Sequence, residues 1–393
     1  MTHARAEGLT RRMAAGALAS PLSWPLSWPL SSLLFGMHAR AETAPEGTPA
    51  ERAAMAAAAR AFMQKYDVPG LGVAIARQGG LVYDESFGFA DREVQERLLP
   101  AHRFRIASVT KPITSVAICL LVQQGLLRFE DKVFGPGGVL GTDYGAPPYE
   151  PQVADITIEH LITHTCGGWT NDGNDPMFQR PELDHAALIA WTIRTHPLVN
   201  PPGKAYAYSN FGYCVLGRVI EKIGRRPYAE FVREAVLRRC GVTDMEIAGN
   251  KLADKKPLEV RYFGQGGENP YDMNVARMDS HGGWIARPAD LVAFATHVDG
   301  FNSTPSLLKP DMIRMMTTAP AFHPGYARGW EINKANNWWH NGSLPGSSTI
   351  MVRTHSGFCW AALANTRATN GDINGDLDAL VWTMVGKVAG WNA

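Results

Sequence analysis

Charge, cysteine and repetition are all in short supply in this chain, and each shortage removes a class of protein. Charged residues make up 19% of the 393 positions, with 38 Lys and Arg against 37 Asp and Glu and a formal charge of +1. Without a basic surplus or a basic cluster there is no electrostatic footprint for nucleic acid. The five cysteines (Cys119, Cys166, Cys214, Cys240 and Cys359) are odd in number and dispersed. Such a set builds no disulfide framework, even in an oxidising compartment. Cys-x-x-Cys pairs, His clusters and phosphate-cradling glycine loops are missing, so neither a metal nor a cofactor is expected. Repeat arrays and heptad runs are absent as well. What is present is a globular balance, with 45% hydrophobic residues. The length is enough to bury a large core in two or three domains, or in one composite.

The first 41 residues read as an export signal rather than as part of the fold. Arg5, Arg11 and Arg12 make a basic start, and acids are scarce before Glu42. An apolar stretch from Met13 to Met37 leads to Ala39-Arg40-Ala41, a small-x-small cleavage site. Thr10-Arg11-Arg12 beside an Ala/Gly-rich stretch points to the twin-arginine route. Prolines in the repeated Pro-Leu-Ser-Trp disfavour a spanning helix. The expectation is a periplasmic or secreted protein that meets the membrane only through this signal. An uncleaved anchor or a misplaced start codon is the alternative.

Ser108-Val109-Thr110-Lys111 is the most informative stretch. A serine hydroxyl is a weak nucleophile at neutral pH and needs a neighbour to take its proton. Three residues apart on a helix puts the Lys111 amine beside the Ser108 hydroxyl. An ammonium shut in a cleft loses hydration and titrates lower, so it can serve as base or relay. Alone the pattern is weak. It gains force from Tyr206-Ala207-Tyr208-Ser209-Asn210 and from Trp339-His340-Asn341-Gly342-Ser343 further on.

In this order Ser-x-x-Lys, Tyr-x-Asn and His-x-Gly resemble the three motifs of the serine β-lactamase and penicillin-binding-protein superfamily. The branch of class C β-lactamases, their D-peptidase relatives and family VIII carboxylesterases is the most similar. Leu161-Ile162-Thr163-His164-Thr165-Cys166-Gly167-Gly168 resembles a further block of that family, with Cys166 where serine is usual. His281-Gly282-Gly283-Trp284 resembles its glycine-rich turn. The resemblance runs from about residue 50 to the C-terminus. It implies an α/β fold in which an antiparallel sheet flanked by helices carries a mainly helical inserted domain, with the active site in the groove between them.

The element pattern agrees with that expectation. A helix over residues 49–66 precedes a hairpin, Leu71–Arg77 and Leu81–Phe87. A helix over Ile113–Gln124 follows the Ser108 turn. A loop-rich stretch at 132–153 leads to helical patterns at 157–163, 184–195, 211–223 and 227–238. A helix at Pro288–Val298, three strands at Trp338–Gly342, Ser347–Arg353 and Phe358–Asn365, and a helix at Leu377–Val388 complete the chain. One sheet assembled from both chain ends is expected, with an α/β part over 49–107 and 280–393 and a helical part over 108–279.

For acyl transfer Ser108 is the candidate nucleophile, and its place at a helix start adds the helix's positive end to its own N–H. The resemblance implies that the Ser343 amide, after Gly342, is the second oxyanion donor. It also implies that Tyr208 shuttles the proton and that Asn210 holds Lys111 and a substrate amide. A phenol titrating near about 10 needs the field of Lys111 for that task. Without the other motifs Tyr208 and Asn210 read as caps of the helix behind them. His340 stands where relatives usually carry lysine and is, with Gly342 and Ser343, a candidate substrate-binding residue, placed to meet a substrate carboxylate; histidine titrates near about 6.5, so it is expected to be neutral at pH 7 and charged in acid. His281 is a candidate cleft residue, His164 a structural one, and Cys166 a thiol near the cleft. Arg105 reads as an ion-pair partner. Trp284, Tyr326, Trp330, Trp338 and Trp339 read as core or as cleft wall.

These residues point to an exported serine hydrolase acting on a small-molecule ester or peptide substrate through an acyl-enzyme. Two alternatives stay open. One is a β-lactamase or D-amino-acid-specific peptidase acting on cell-wall peptides. The other is a catalytically silent binding or scaffold protein.

Overall fold

The computed structural model describes residues 47–301 and 303–391. The expected export segment lies outside the described residues.

Helix α1 (Pro49–Tyr66) starts on a capping box in which Thr48 and Glu51 satisfy each other's backbone N–H groups. The chain then enters a hairpin, β1 (Gly70–Arg77) and β2 (Gly80–Asp91), whose turn places Gln78 and Gly79 at positive φ. Short strands β3 (Glu96–Arg97) and β4 (Phe104–Arg105) lead to a single 3₁₀ turn, Ala107–Val109, and helix α2 (Thr110–Gln123).

The middle of the chain is helical. It holds α3 (Pro151–Ala154), α4 (Ile158–Ile162), α5 (Pro176–Gln179), α6 (His185–Thr195), α7 (Asn210–Gly224) and α8 (Tyr228–Val232). Strands β5 (Glu246–Ile247) and β6 (Trp284–Ala286) follow, then α9 (Pro288–Thr296) and α10 (Pro310–Met316). The chain closes with β7 (Glu331–Ile332), β8 (Trp338–Leu344), β9 (Ser347–Arg353), β10 (Phe358–Ala364) and α11 (Ile373–Val385).

The main sheet is antiparallel, in the order β3-β2-β1-β10-β9-β8-β7, so its centre joins the two ends of the chain. Alternation along β1 sorts the side chains. Leu71, Val73 and Ile75 pack with Met55 and Phe62 of α1 and Leu377 and Val381 of α11. Ala74 and Ala76, on the other face, pack with Leu291 and Phe294 of α9 in the larger core shared with the helical part. Small residues on that face let α9 lie close. The fold is thus the α/β arrangement expected, with a second sheet, β4-β6-β5, that the sequence pattern did not reveal.

Helix α2 is buried on every side from Thr110 to Leu121, as befits a helix at the centre of a large domain. It begins three residues earlier than the pattern implied. Pro112 sits within the first turn, where a backbone N–H has no helical partner to lose.

Candidate active site

The segment entering α2 is clamped before it reaches Ser108. The Arg105 N–H donates to the Tyr262 hydroxyl at 2.8 Å, and the Ile106 N–H to the Trp284 carbonyl at 2.9 Å. From β9, Ser347 Oγ donates to the Arg105 carbonyl at 2.6 Å and Thr349 Oγ1 to the Ile106 carbonyl at 2.8 Å. These bonds hold Ala107 at φ 48°, a left-handed conformation that costs a residue with a Cβ about 1–2 kcal/mol. The Arg105 guanidinium is buried beside Glu259 and over the Tyr262 ring, the structural role expected of it.

Strand β8 closes against the same segment. A Cβ at Gly342 would stand 2.1 Å from Thr349 Oγ1 and 2.3 Å from the Ile106 carbonyl oxygen, so only glycine permits this approach. The next residue, Ser343, is exposed and lines a cleft of about 430 Å³ together with Ser108, Asn171, Phe178, Asn210, His281 and Arg367.

Lys111 is fully buried, and its Nζ lies 3.0 Å from Ser108 Oγ, 2.8 Å from Asn210 Oδ1 and 3.1 Å from the His281 carbonyl. Burial holds this amine well below the ordinary lysine range, against a partly restoring pull from the Asp175 carboxylate. Asn210 is the first residue of α7, not its cap; Ser209 Oγ accepts from the Gly212 N–H and fills that role. The Asn210 amide donates to Asp175 Oδ2 at 2.8 Å and to Asn171 Oδ1 at 3.1 Å. Its donors are therefore taken by the protein, and of its polar atoms Oδ1 alone keeps a free lone pair at the cleft wall.

Tyr208 is half-buried with the Lys111 amine 4.8 Å from its ring centroid, and its hydroxyl interacts with that of Ser108. Burial raises the phenol above its ordinary range rather than lowering it, so Tyr208 keeps its proton and the Lys111 amine is the group left to accept one.

His340 departs from expectation. It is 2% exposed and does not line the cleft. Burial first, and Lys111 second, push it down to about 3, so the imidazole stays neutral across the ordinary pH range. Its Nε2 faces the Tyr326 hydroxyl at 3.1 Å, and Tyr326 faces His164 Nε2 at 3.1 Å. Because His164 Nδ1 accepts from the Ser209 N–H at 3.0 Å, its proton sits on Nε2 and points to Tyr326. Tyr326 then donates to His340, whose Nδ1–H donates to the Asn341 carbonyl at 2.7 Å. A chain of neutral groups thus ties the start of α7 to β8. His164 takes the structural place foreseen.

Cys166 is buried, with its thiol pushed up to about 11, and is not a reactive thiol. Trp284 and Trp330 are wholly buried and belong to the core. His281 lines the cleft and offers Lys111 its carbonyl; its Nε2 has no partner among the described residues. Arg367 on the cleft wall is ion-paired with Glu268. Among the described residues no group of three or more His, Cys, Asp or Glu side chains is placed to hold a metal ion. Asp175, Asn171, Tyr326, Ser347 and Thr349 carry no motif signal. They act through contacts between segments far apart in the chain, although Asp175 does show as a cap before Pro176.

Comparison with known proteins places the chain. Penicillin-binding protein 4* of Bacillus subtilis (strain 168) is 26% identical over 324 residues, 72% of this chain and 65% of that protein. Esterase EstB of Burkholderia gladioli is 30% identical over 185 residues, 43% of this chain and 45% of that protein. The match therefore spans less than two thirds of either relative's length. D-amino acid amidase from Ochrobactrum anthropi SV3, complexed with L-phenylalanine amide, shares the fold with a TM-score of 0.71 at 21% identity. That likeness covers 88% of this chain and 100% of the amidase. The pattern of the family described as Beta-lactamase matches residues 55–381, and this chain belongs to that family.

Proposed function

We propose that the protein is a serine hydrolase that cleaves esters or small amides through an acyl-enzyme on Ser108. One observation carries this reading: the hydrogen bonds of Lys111 leave its lone pair a single direction. A neutral amine has two N–H groups and one lone pair. Asn210 Oδ1 and the His281 carbonyl can only accept, so they take the two hydrogens. The lone pair then faces Ser108 Oγ at 3.0 Å and receives the hydroxyl proton.

As that proton leaves, a bond forms between Ser108 Oγ and the substrate carbonyl carbon, and the carbonyl π pair moves onto oxygen. The backbone N–H groups of Ser108 and Ser343 are the donors for that oxyanion. Collapse breaks the carbon–leaving-group bond, and the proton passes to the departing alkoxide or amine with the Tyr208 hydroxyl as relay. Water attacks the acyl-enzyme by the same route in reverse, which frees the acid and restores Ser108.

The charge of the cleft supports neutral substrates. A carboxylate-bearing β-lactam or D-peptide profits from a free cation, worth roughly 1.5–3 kcal/mol in a charge-assisted hydrogen bond. His340 is buried and neutral, and Arg367 already has Glu268. The names of an esterase and an amidase among the similar proteins support the same reaction class.

The test is the intact mass of the protein after exposure to p-nitrophenyl esters, penicillins and D-Ala-D-Ala peptides. An acyl adduct from the esters that disappears in Ser108→Ala is expected. No adduct, together with no ester turnover and no fluorophosphonate labelling, would return the protein to the silent-scaffold reading.

A further inference from the structure

We infer that Asp175 is a positioning residue of the active site: through the Asn210 amide it aims the acceptor of Lys111 and supplies the buried negative charge that sets the basicity of that amine. The inference rests on the proposed hydrolase reading. Its geometry is a buried relay, from Asp175 Oδ2 to Asn210 Nδ2 at 2.8 Å, from Asn210 Oδ1 to Lys111 Nζ at 2.8 Å, and from Nζ to Ser108 Oγ at 3.0 Å. Asp175 is 1% exposed and Asn210 5%.

An asparagine amide can present either end to a neighbour, and only its partners decide which. Asp175 Oδ2 can only accept, so it demands the NH₂ group and turns the oxygen toward Lys111, while Asn171 Oδ1 takes the second hydrogen. Asp175 is itself held, since its Oδ1 accepts from the Met177 N–H at 2.9 Å. The loop is tied to the second motif by the Asn171 N–H, which donates to the Tyr208 carbonyl at 2.8 Å.

Charge follows the same path. Around Lys111 stand the rings of Tyr208 and Tyr213, the His281 carbonyl and the Ser108 hydroxyl. The imidazoles of His164, His281 and His340 are all held neutral by burial, with Lys111 adding to the effect. Asp175 is the carboxylate that acts on the amine from this shell. Burial also raises Asp175, to about 6, so its charge is present at neutral pH and fades in acid. Desolvation lowers the basicity of Lys111, and a nearby carboxylate restores part of it.

The experiment is the pH profile of kcat/KM for a short-chain p-nitrophenyl ester from pH 4.5 to 9, in wild type, Asp175→Asn and Asn171→Asp. Losing the carboxylate lowers the Lys111 pKa, so the acid limb should move about one unit toward lower pH in Asp175→Asn. The weaker base should lower the plateau about tenfold. Asn171→Asp adds a carboxylate to the same amide from an exposed position, and its acid limb should move toward higher pH. The rate of Ser108 labelling by a fluorophosphonate should shift with pH in the same directions. A limb that stays in place in a folded Asp175→Asn protein overturns the inference. If that variant is recovered unfolded, Asn171→Asp decides, and an unmoved limb there overturns it equally. Absence of Ser108-dependent turnover in the wild type would instead sink the hydrolase reading.

Discussion

In the proposed mechanism Ser108 and Lys111 form one proton-transfer unit, and their substitutions should behave as one. Ser108→Ala is expected to lower kcat for a p-nitrophenyl ester by about 10⁴-fold or more, with Lys111→Ala close behind. The double variant should resemble either single one, and retained turnover in Ser108→Ala would end the mechanism. His340 makes a separate prediction, about stability. Its folded pKa of about 3 lies below its unfolded value of about 6.5, so the unfolded chain binds the proton first. The contribution of a neutral His340 is complete above about pH 6.5 and drains away as pH falls, by about 1.4 kcal/mol per unit until about pH 3. Buried carboxyls such as Asp175 and Asp299, each raised to about 6, pull in the opposite direction, so the absolute slope is a balance. The difference between wild type and His340→Gln isolates the histidine. Urea midpoints measured from pH 7 to 4.5 should show wild type losing stability to acid faster than the variant; parallel curves would contradict the buried neutral state. The same burial removes the acid-side gain on carboxylate substrates that an exposed histidine would bring. The Ser108–Lys111 pair was legible because helical spacing is local, whereas the state of His340 depends on Tyr326 and His164, far away in sequence.

Among the elements, β8 matters most to the site, because its contact with the segment before Ser108 has no spare room. Gly342→Ala puts a methyl where Thr349 Oγ1 and the Ile106 carbonyl already stand. Overpacking of this kind costs about 1–3 kcal/mol and should shift β8, and with it the Ser343 amide, away from its proposed oxyanion position. A lowered Tm with ester kcat reduced at least about 100-fold is expected, the size seen when an oxyanion donor is lost. Unchanged Tm and kcat would show that the contact is slack. The longer elements were legible from periodicity: α1 spans the range expected, and the hairpin and the three C-terminal strands fall within a few residues of theirs. Strands of two or three residues, such as β4, β5 and β6, were not. A two-residue strand has no period, and only its partner across the sheet makes it one.

For the whole molecule, export is the open prediction. Cleavage after Ala41 would leave Glu42 as the mature N-terminus and keep the Thr48 capping box and α1 whole. N-terminal sequencing of the periplasmic or secreted protein should read Glu42, and replacing Arg11 and Arg12 by lysine should block export on the twin-arginine route. An intact chain confined to the cytoplasm would refute both. The sheet makes the two chain ends interdependent, because β1 pairs with β10 along seven positions from Leu71 to Arg77.

Local chemistry was written in the sequence: which serine has a lysine one helical turn away, which runs alternate, and which cysteines lie in apolar surroundings. Those properties depend on neighbours within a few residues, and spacing alone conveys them. Tertiary structure decided the rest. It alone placed Asp175 behind Asn210, set Ala107 in a left-handed turn beneath β9, and buried His340 at the end of a neutral chain. Each of those outcomes arises where segments distant in sequence exclude water together, and burial at such a meeting point sets the charge state of a side chain more strongly than its own identity does.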